Sequence, residues 1–488
     1  MTSRSRSSSE QPPVRRGRRL LVLLATILAA AAAFPGAALA PGIVGRADLP
    51  IPSWLFAWAA AIVMVISFVA LFRLRGHPLG RPRERLLLTV PAAAEYAAGA
   101  LGVALFAVVV YAGLRGAQNF TSNLAPTFVY VAFWVGVPVA SAFVGDLFRA
   151  FCPWRALARF GLALAAAAGI RSRPLLGPGA YPERLGRWPA ALTLVAFAWL
   201  ELVYPSKDDP HLLAVLALAY AAVQLAGLAC FGIETWTARA DGFSVYFGFV
   251  ALLAPLSWRQ RRLALRPPLI GARQLEPIPG TIAVLCALIG STSFDGFSNG
   301  DIWLTVAPHM QSFFGSLGLG PIGAYEVAGT IGLCFWVGLV AMIYWTGVLG
   351  MARATGRATA TLAREFAHTL VPIAFGYLLA HYFSLLVLQG QALGYLVSDP
   401  LGNGSNLFGT AEFLVNYNLI SFAAIWYVQI AAIVGGHVGG IVLSHERGLD
   451  SFPSLRQSIT AQQWMLVVMV AFTCLALWIL SAVTTTTG

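Results

Sequence analysis

The chain has 488 residues, of which 58% are hydrophobic and only 11% are charged. Because soluble domains carry about a quarter charged residues, this composition excludes an ordinary soluble protein and indicates a polytopic membrane protein. The net charge of +12 comes mainly from arginines in short runs between apolar segments, which is typical of chains oriented in a membrane and excludes a nucleic-acid partner. The expected partners are the lipid bilayer and a small-molecule substrate; the sequence specifies neither that substrate nor the oligomeric state.

The first 40 residues form a segment of their own. Arginines end the polar stretch 1–19, an apolar run covers 20–34, and small residues lead to Ala40. This order is typical of a basic cytoplasmic tail followed by a secretory signal peptide. Because Pro41 disfavours cleavage directly after Ala40, cleavage one or two residues earlier and retention as a membrane anchor both stay open. Residues 41–488 are predicted to form a single multi-span membrane domain.

Four apolar runs after this segment are predicted to be membrane-spanning helices. They lie at 54–72, 95–114, 127–147 and 188–204. Their lengths are close to the ~20 residues that a helix needs to cross a ~30 Å hydrocarbon core. Arginines follow the first span and recur through 149–187, so both connections are predicted to be cytoplasmic. In the second connection, residues 155–170 are predicted to form an amphipathic helix in the membrane interface.

The segment that follows contains two apolar runs and then a basic turn. The runs cover 212–231 and 243–258, and arginines follow at positions 259, 261 and 262. Two full crossings would return the chain to the outside, which contradicts the cytoplasmic position that these arginines indicate. The shorter run is therefore predicted to be a half-helix or a re-entrant segment. Because irregular backbone at membrane depth survives only inside protein or beside a cavity, 231–258 is a candidate functional region.

The remaining predicted spans alternate across the membrane. They lie at 279–292, 326–350, 366–388, 419–444 and 463–483. The outer loops between them are 389–418 and 293–325, and the latter carries Asp295, Asp301 and His309. The sequence therefore predicts an all-α transmembrane bundle of about 10–12 spans in the cell membrane, with one re-entrant or broken helix near 231–258. The N-terminal tail is predicted to be cytoplasmic and the C-terminus extracytoplasmic.

Four of the seven histidines lie on or beside the consecutive predicted spans 366–388 and 419–444. They are His368, His381, His437 and His445. The alternation of the spans puts His368 and His445 at the inner boundary of the membrane, and His381 and His437 at membrane depth. Because an ionisable side chain in hydrocarbon costs free energy, such a residue is a functional-site candidate by default.

All four histidines are candidate metal ligands, since imidazole binds zinc, copper and iron well. The preferred pair is His381 and His437, with Gln429, Tyr382 or Glu412 nearby. The alternative is that both histidines hydrogen-bond across helices and stabilise the bundle. The sequence alone leaves both interpretations open.

His437 lies in the stretch 435–440, which contains two overlapping G-x-x-x-G spacings. Such spacing bares one side of a helix, so we expect another helix to approach closely there.

A pair of stacked haems agrees less well with the spacing of the histidines. His368 and His381 are 13 residues apart, which puts them roughly 140° apart around a helix rather than on one face. Pro372 lies between them and can bend the helix, so a haem or copper redox protein stays an alternative.

Four stretches spread over most of the mature chain carry a resemblance to a known family. They run over 44–52, 292–296, 368–382 and 436–447. On these stretches the chain resembles actinobacterial polytopic membrane proteins labelled as fenitrothion hydrolase.

The resemblance implies an enzyme that hydrolyses an organophosphate triester, in which a metal-activated water attacks phosphorus. His368, His381, His437 and His445 would then be ligand candidates, although the chain lacks the H-x-H pair of soluble phosphotriesterases. An alternative is a membrane transporter or proton-coupled channel component, in which the intramembrane histidines relay protons. The sequence does not decide between an enzyme and a transporter.

Overall fold

The computed structural model describes residues 84–483 apart from 171, 172, 178 and 260, together with a few residues between 62 and 69. The predicted tail and signal segment, 1–40, and most of the predicted span 54–72 lie outside the described residues.

In this part of the chain, helices follow one another with mostly short connections, and three short strands lie between them. The strands are β1 (Arg85–Thr89), β2 (Leu256–Arg259) and β3 (Arg262–Leu265). The helices of the first half are α1 (Ala92–Arg115), α2 (Leu124–Val144), α3 (Leu147–Phe151), α4 (Pro153–Ala167), α5 (Trp188–Leu202), α6 (Pro210–Phe231), α7 (Ile233–Arg239) and α8 (Gly242–Ala251). The helices of the second half are α9 (Thr281–Ser298), α10 (Asp301–Ser316), α11 (Pro321–Thr355), α12 (Thr359–Leu396), α13 (Phe422–Ser451) and α14 (Leu455–Val483). Helix α2 contains π-helical turns at Phe128–Gly136, and α12 contains 3-10 turns at Ala367–Thr369 and Gln389–Ala392.

Eight of the described helices are long and apolar enough to cross a membrane. They are α1, α2, α6, α9, α11, α12, α13 and α14. Helix α5 is apolar but has only 15 residues. The described residues thus form an all-α bundle that fits a multi-pass membrane protein, and the predicted fold class is confirmed.

Helix α6 illustrates how local sequence sets the bounds of these helices. The side chain of Asp209 accepts a hydrogen bond from the backbone N–H of Leu212, and Pro210 occupies the first helical position. Both features are favoured at a helix N-terminus. The helix ends at Gly232, whose φ of 86° is strained for residues that carry a Cβ.

Helix α8 is short, and we call it the re-entrant helix because the chain enters and leaves it at one end of the bundle. It has 10 residues, which is ~15 Å at 1.5 Å per residue and about half of a hydrocarbon core. Before it, Glu234 on α7 accepts a hydrogen bond from Arg149 on α3, and after it Trp258 on β2 donates to the carbonyl of Val144, the last residue of α2. Because α3 directly follows α2, the chain enters and leaves α8 at one end of the bundle, which we call the basic end. The predicted half-helix within 231–258 corresponds to this short helix, and its re-entry into a membrane stays a prediction. The antiparallel sheet β1-β3-β2 joins its exit to the start of α1.

Asp241 holds the start of α8. Its side chain is fully buried. Its Oδ1 accepts hydrogen bonds from the Tyr220 hydroxyl (2.7 Å) and the Ser244 backbone N–H (3.2 Å). Its Oδ2 accepts from the Trp154 indole N–H (2.7 Å) and the Ser244 hydroxyl (2.6 Å). Because a buried carboxylate is tolerated only when it is hydrogen-bonded, Asp241 ties the re-entrant helix to α4 and α6.

The main apolar core lies among α9, α11, α12 and α14. Leu285, Tyr344, Phe366 and Phe472 are fully buried there, and the Tyr344 hydroxyl donates a hydrogen bond to the carbonyl of Ala363 (2.7 Å). Apolar packing thus joins the helices that carry the histidines to α9 and α11.

Helices α12 and α13 cross at two facing glycines. A Cβ on Gly436 would lie 2.6 Å from the carbonyl oxygen of Pro372, and one on Gly376 would lie 2.7 Å from that of Ala432. The expected close approach at 435–440 is therefore present, although a Cβ on Gly435 would meet nothing within 4 Å.

Gly436→Ala should lower the stability of the bundle, whereas Gly435→Ala should not. The added methyl group at position 436 would contact rigid backbone, and overpacking of this kind costs roughly 1–3 kcal/mol. At position 435 the methyl group enters open space and raises helix propensity. Thermal unfolding of the two variants in detergent measures the difference; equal unfolding temperatures would contradict the crossing geometry.

Candidate functional site

Asp295, His381 and Tyr382 form a hydrogen-bonded cluster between two candidate membrane spans, α9 and α12. Oδ2 of Asp295 accepts a hydrogen bond from the Tyr382 hydroxyl (2.7 Å) and lies 2.8 Å from Nε2 of His381. An ionised carboxylate has no proton to donate, so His381 is the donor in the second bond. The Asp295 and His381 side chains are 17% and 22% exposed, so protein does not completely enclose either of them.

A small residue beside Asp295 allows the helices to meet around it. A Cβ on Gly296 would lie 2.4 Å from Cγ2 of Ile479 on α14 and 3.5 Å from Nδ1 of His381. Glycine at this position therefore lets α12 and α14 pack directly on α9, which brings the imidazole to the carboxylate.

Glu201 adds a second carboxyl group to the cluster. It lies near the end of α5, is 9% exposed, and interacts electrostatically with Asp295 and Tyr382. Lys207, in the connection after α5, interacts with both carboxyl groups. Two carboxyl groups, an imidazole and a lysine side chain therefore lie within electrostatic reach of one another.

His437 is fully buried on α13 and bonds within its own helix. Its Nδ1 lies 2.7 Å from the carbonyl of Ile433, so Nδ1 carries the proton in that bond. Its ring lies 5.9 Å from that of Tyr377 on α12, and its Nε2 has no hydrogen-bond partner among the described residues. The hydrogen bonds of His381 and His437 thus go to different partners and do not join the two residues.

The described residues contain no group of three or more His, Cys, Asp or Glu side chains that could hold a metal ion. Of the further ligands considered, Tyr382 joins His381 at Asp295, Gln429 is buried, and Glu412 is exposed. The four predicted histidine ligands do not form such a group in this part of the chain, and their role as metal ligands stays a prediction.

Comparison with known proteins gives no guide to this cluster. No family model, no curated protein and no solved structure matches the chain. The resemblance to proteins labelled as fenitrothion hydrolase stays a prediction, and the chemistry of the site rests on the contacts of Asp295 and His381.

His368 and His445 were predicted at the inner boundary of the membrane. Both side chains are enclosed by protein. They are 2% and 1% exposed, and Nδ1 of His445 lies 3.2 Å from Oε1 of Gln462 on α14. Helices α12 and α13 extend beyond the predicted spans 366–388 and 419–444, so protein encloses both side chains, and their place at the inner membrane boundary stays a prediction. The added turns pack on one another and on α14.

Asp295 was predicted in the outer loop 293–325, and this prediction is wrong. Helix α9 continues to Ser298, and α10 follows almost at once. The hydroxyl groups that lowered the apolar character of this stretch donate to carbonyls of the same helix, as Ser293 does to Ile289 (2.7 Å). Of the other polar residues in that loop, His309 bonds within α10, where its Nδ1 lies 2.8 Å from the carbonyl of Thr305.

Sequence reasoning named His381, Tyr382 and Asp295 but did not bring them together, and it did not single out Glu201. The available signal for Glu201 was an acidic residue inside the apolar run 188–204, since such a residue is rare in a span without a function or a partner.

Proposed function

We propose that this protein moves protons through the membrane, as a transporter or a channel component, and that Asp295, His381 and Tyr382 exchange those protons. The observation that supports the proposal is the hydrogen-bonded Asp295–His381 pair between two candidate spans. Each ionisable side chain inside a membrane costs about 2.5 kcal/mol or more, and such residues are typical of ion and proton pathways.

His381 suits this role because imidazole changes its protonation near neutral pH and has two nitrogens. Nε2 faces the Asp295 carboxylate. If a proton binds at Nδ1 and the Nε2 proton passes to Oδ2 of Asp295, one proton has moved along the ring and the imidazole is again neutral. Glu201 is the next carboxyl group within electrostatic reach of Asp295, so the proton has a further acceptor.

Proton uptake into vesicles tests this proposal. The purified chain is reconstituted into liposomes that contain a pH-sensitive dye, and a potassium gradient with valinomycin sets a membrane potential. We expect acidification well above the rate of protein-free vesicles, and we expect His381→Gln to return it to that background. His309→Gln is the matched control, because His309 is exposed on α10 and bonds within its own helix. A wild-type rate equal to that of protein-free vesicles would reject proton conduction.

A second candidate function is hydrolysis of an organophosphate triester, and the same pair supports it. A carboxylate that holds an imidazole is the arrangement of a general base, which could take a proton from water as the water attacks phosphorus. The two functions differ in their requirements. Hydrolysis would proceed in detergent without a membrane potential and would be lost in His381→Gln, whereas proton uptake needs sealed vesicles. Release of the phenol from fenitrothion by the detergent-purified protein measures hydrolysis.

A further inference from the structure

A cavity of about 320 Å³ lies at the basic end, next to the re-entrant helix. Its charged lining residues come from the segments after α2 and before α5, and from the connection before α9. They are Asp146, Arg149, Arg155, Arg187 and Glu276. The volume is far larger than the ~30 Å³ that one water molecule occupies in the liquid, so the cavity has room for a polyatomic ion and its hydration.

Arg187 brings a positive charge to the cavity, and no carboxylate in the described part of the chain hydrogen-bonds to it. Its guanidinium donates to the carbonyls of Ala238 (3.3 Å) and Glu276 (2.7 Å) and to the hydroxyl of Thr281 (2.7 Å). Burial lowers the pKa of Arg187 to about 10, so the group stays charged at neutral pH. These neutral oxygens fix the guanidinium at the wall of the cavity without cancelling its charge.

Arg155 has an unused donor. Its side chain is 9% exposed, and its Nη2 donates to Oε1 of Glu234, whose other oxygen accepts from Arg149. Nη1 of Arg155 is buried and has no hydrogen-bond partner among the described residues. Because a buried guanidinium N–H without an acceptor is unfavourable, a bound acceptor would stabilise this group, and Arg155 is one of the residues that line the cavity.

The acidic groups around the cavity only partly oppose this charge. Burial raises the pKa of Asp146, and its Oδ1 accepts a hydrogen bond from the backbone N–H of Arg149. Glu276 lies within electrostatic reach of Arg187. Glu234 is 66% exposed and is shared between two arginines. Three arginines and two carboxyl groups line the cavity, so its lining has a formal excess of one positive charge, and Arg155 has a buried donor that no described residue accepts.

We infer that this cavity binds a phosphate group, with the guanidinium groups of Arg155, Arg149 and Arg187 as its donors. Arginine guanidinium groups match the geometry of phosphate oxygens, and the arginine-rich loops of membrane proteins meet anionic headgroups. Free phosphate and the headgroup of an anionic phospholipid share this chemistry. The inference does not rest on proton conduction, because it involves different residues and a different region of the chain.

Ligand-dependent unfolding of the whole chain tests this site. The protein is stripped of lipid in detergent, and its unfolding temperature is followed against sodium phosphate, with sodium chloride at equal ionic strength as reference. In a second arm, phosphatidylglycerol or phosphatidylcholine is added to the micelles. A rise in the unfolding temperature with phosphate identifies the free anion as the ligand. A rise with phosphatidylglycerol alone identifies the headgroup, and both results support a phosphate site.

Arg155→Gln should weaken the binding at least about tenfold, as judged from the ligand concentration that gives half of the shift. Arg159→Gln is the matched control, because Arg159 lies one turn later on α4, pairs with Glu95 and does not line the cavity. If Arg155→Gln does not fold, Arg155→Lys keeps the charge but loses the two-nitrogen fork, and it should also bind more weakly. The inference is overturned if phosphate raises the unfolding temperature no more than chloride does and phosphatidylglycerol raises it no more than phosphatidylcholine does. It is also overturned if a folded Arg155 variant binds as tightly as Arg159→Gln.

Discussion

Asp295→Asn should reduce potential-driven proton uptake to the rate of protein-free vesicles. The amide has nearly the same shape as the carboxylate and keeps an oxygen that can accept the hydrogen bond from Tyr382, so the packing of α9 on α12 should survive. It cannot accept a proton at neutral pH, and the proton that leaves Nε2 of His381 then has no acceptor. Loss of a positioned acid–base group slows proton transfer by about a hundredfold or more. The dye in the proteoliposomes measures the change.

Asp301→Asn is the control for this experiment. Asp301 lies six positions later, in the first turn of α10, and is exposed. Its variant should therefore conduct as the wild type does. Asp295→Glu keeps the charge on a longer side chain and should retain part of the flux. Wild-type flux in a folded Asp295→Asn protein would remove the cluster from the proton pathway.

Much of the fold was predictable because the membrane restricts what a chain can do. The predicted spans 95–114 and 212–231 correspond closely to α1 and α6, since each is an apolar run of about the length that crosses hydrocarbon. The short helix α8 was predictable from the number of membrane crossings alone. Two full crossings over 212–231 and 243–258 would contradict the cytoplasmic position that the arginines at 259, 261 and 262 indicate, and the second run contains only the 10-residue helix α8.

The candidate site was less predictable because it depends on which helices pack together. His381 was singled out by its place in a span, but its partner Asp295 is 86 residues earlier in the chain. No spacing rule joins residues on α9 and α12. Hydropathy also misled, since Ser291, Thr292 and Ser293 ended the predicted span at 292, although their hydroxyls bond to carbonyls within α9. The pairing of His381 with His437 was inferred from depth, whereas hydrogen bonding depends on which way each ring points.

Asp241→Asn should destabilise the protein by about 3 kcal/mol or more, although the two side chains have almost the same shape. In the structure both oxygens of Asp241 face donors. Oδ1 faces the backbone N–H of Ser244 and Oδ2 faces the indole N–H of Trp154, and neither donor can become an acceptor. An asparagine must turn its NH₂ group toward one of them, so either orientation creates a donor–donor contact in a fully buried place. The loss of stability should be concentrated in α8, because Asp241 caps the N-terminus of that helix.

Two measurements check this prediction together. The unfolding temperature in detergent should fall clearly in Asp241→Asn, and amide hydrogen exchange should accelerate over 242–251 before it does so in α9 or α12. Asp209→Asn is the matched control, because Asp209 is exposed and caps α6 with one backbone hydrogen bond that an asparagine oxygen can also accept. If the two variants unfold at the same temperature, the four hydrogen bonds of Asp241 do not hold the re-entrant helix. If Asp241→Asn is destabilised without faster exchange in α8, the carboxylate stabilises α4 and α6 rather than the re-entrant segment.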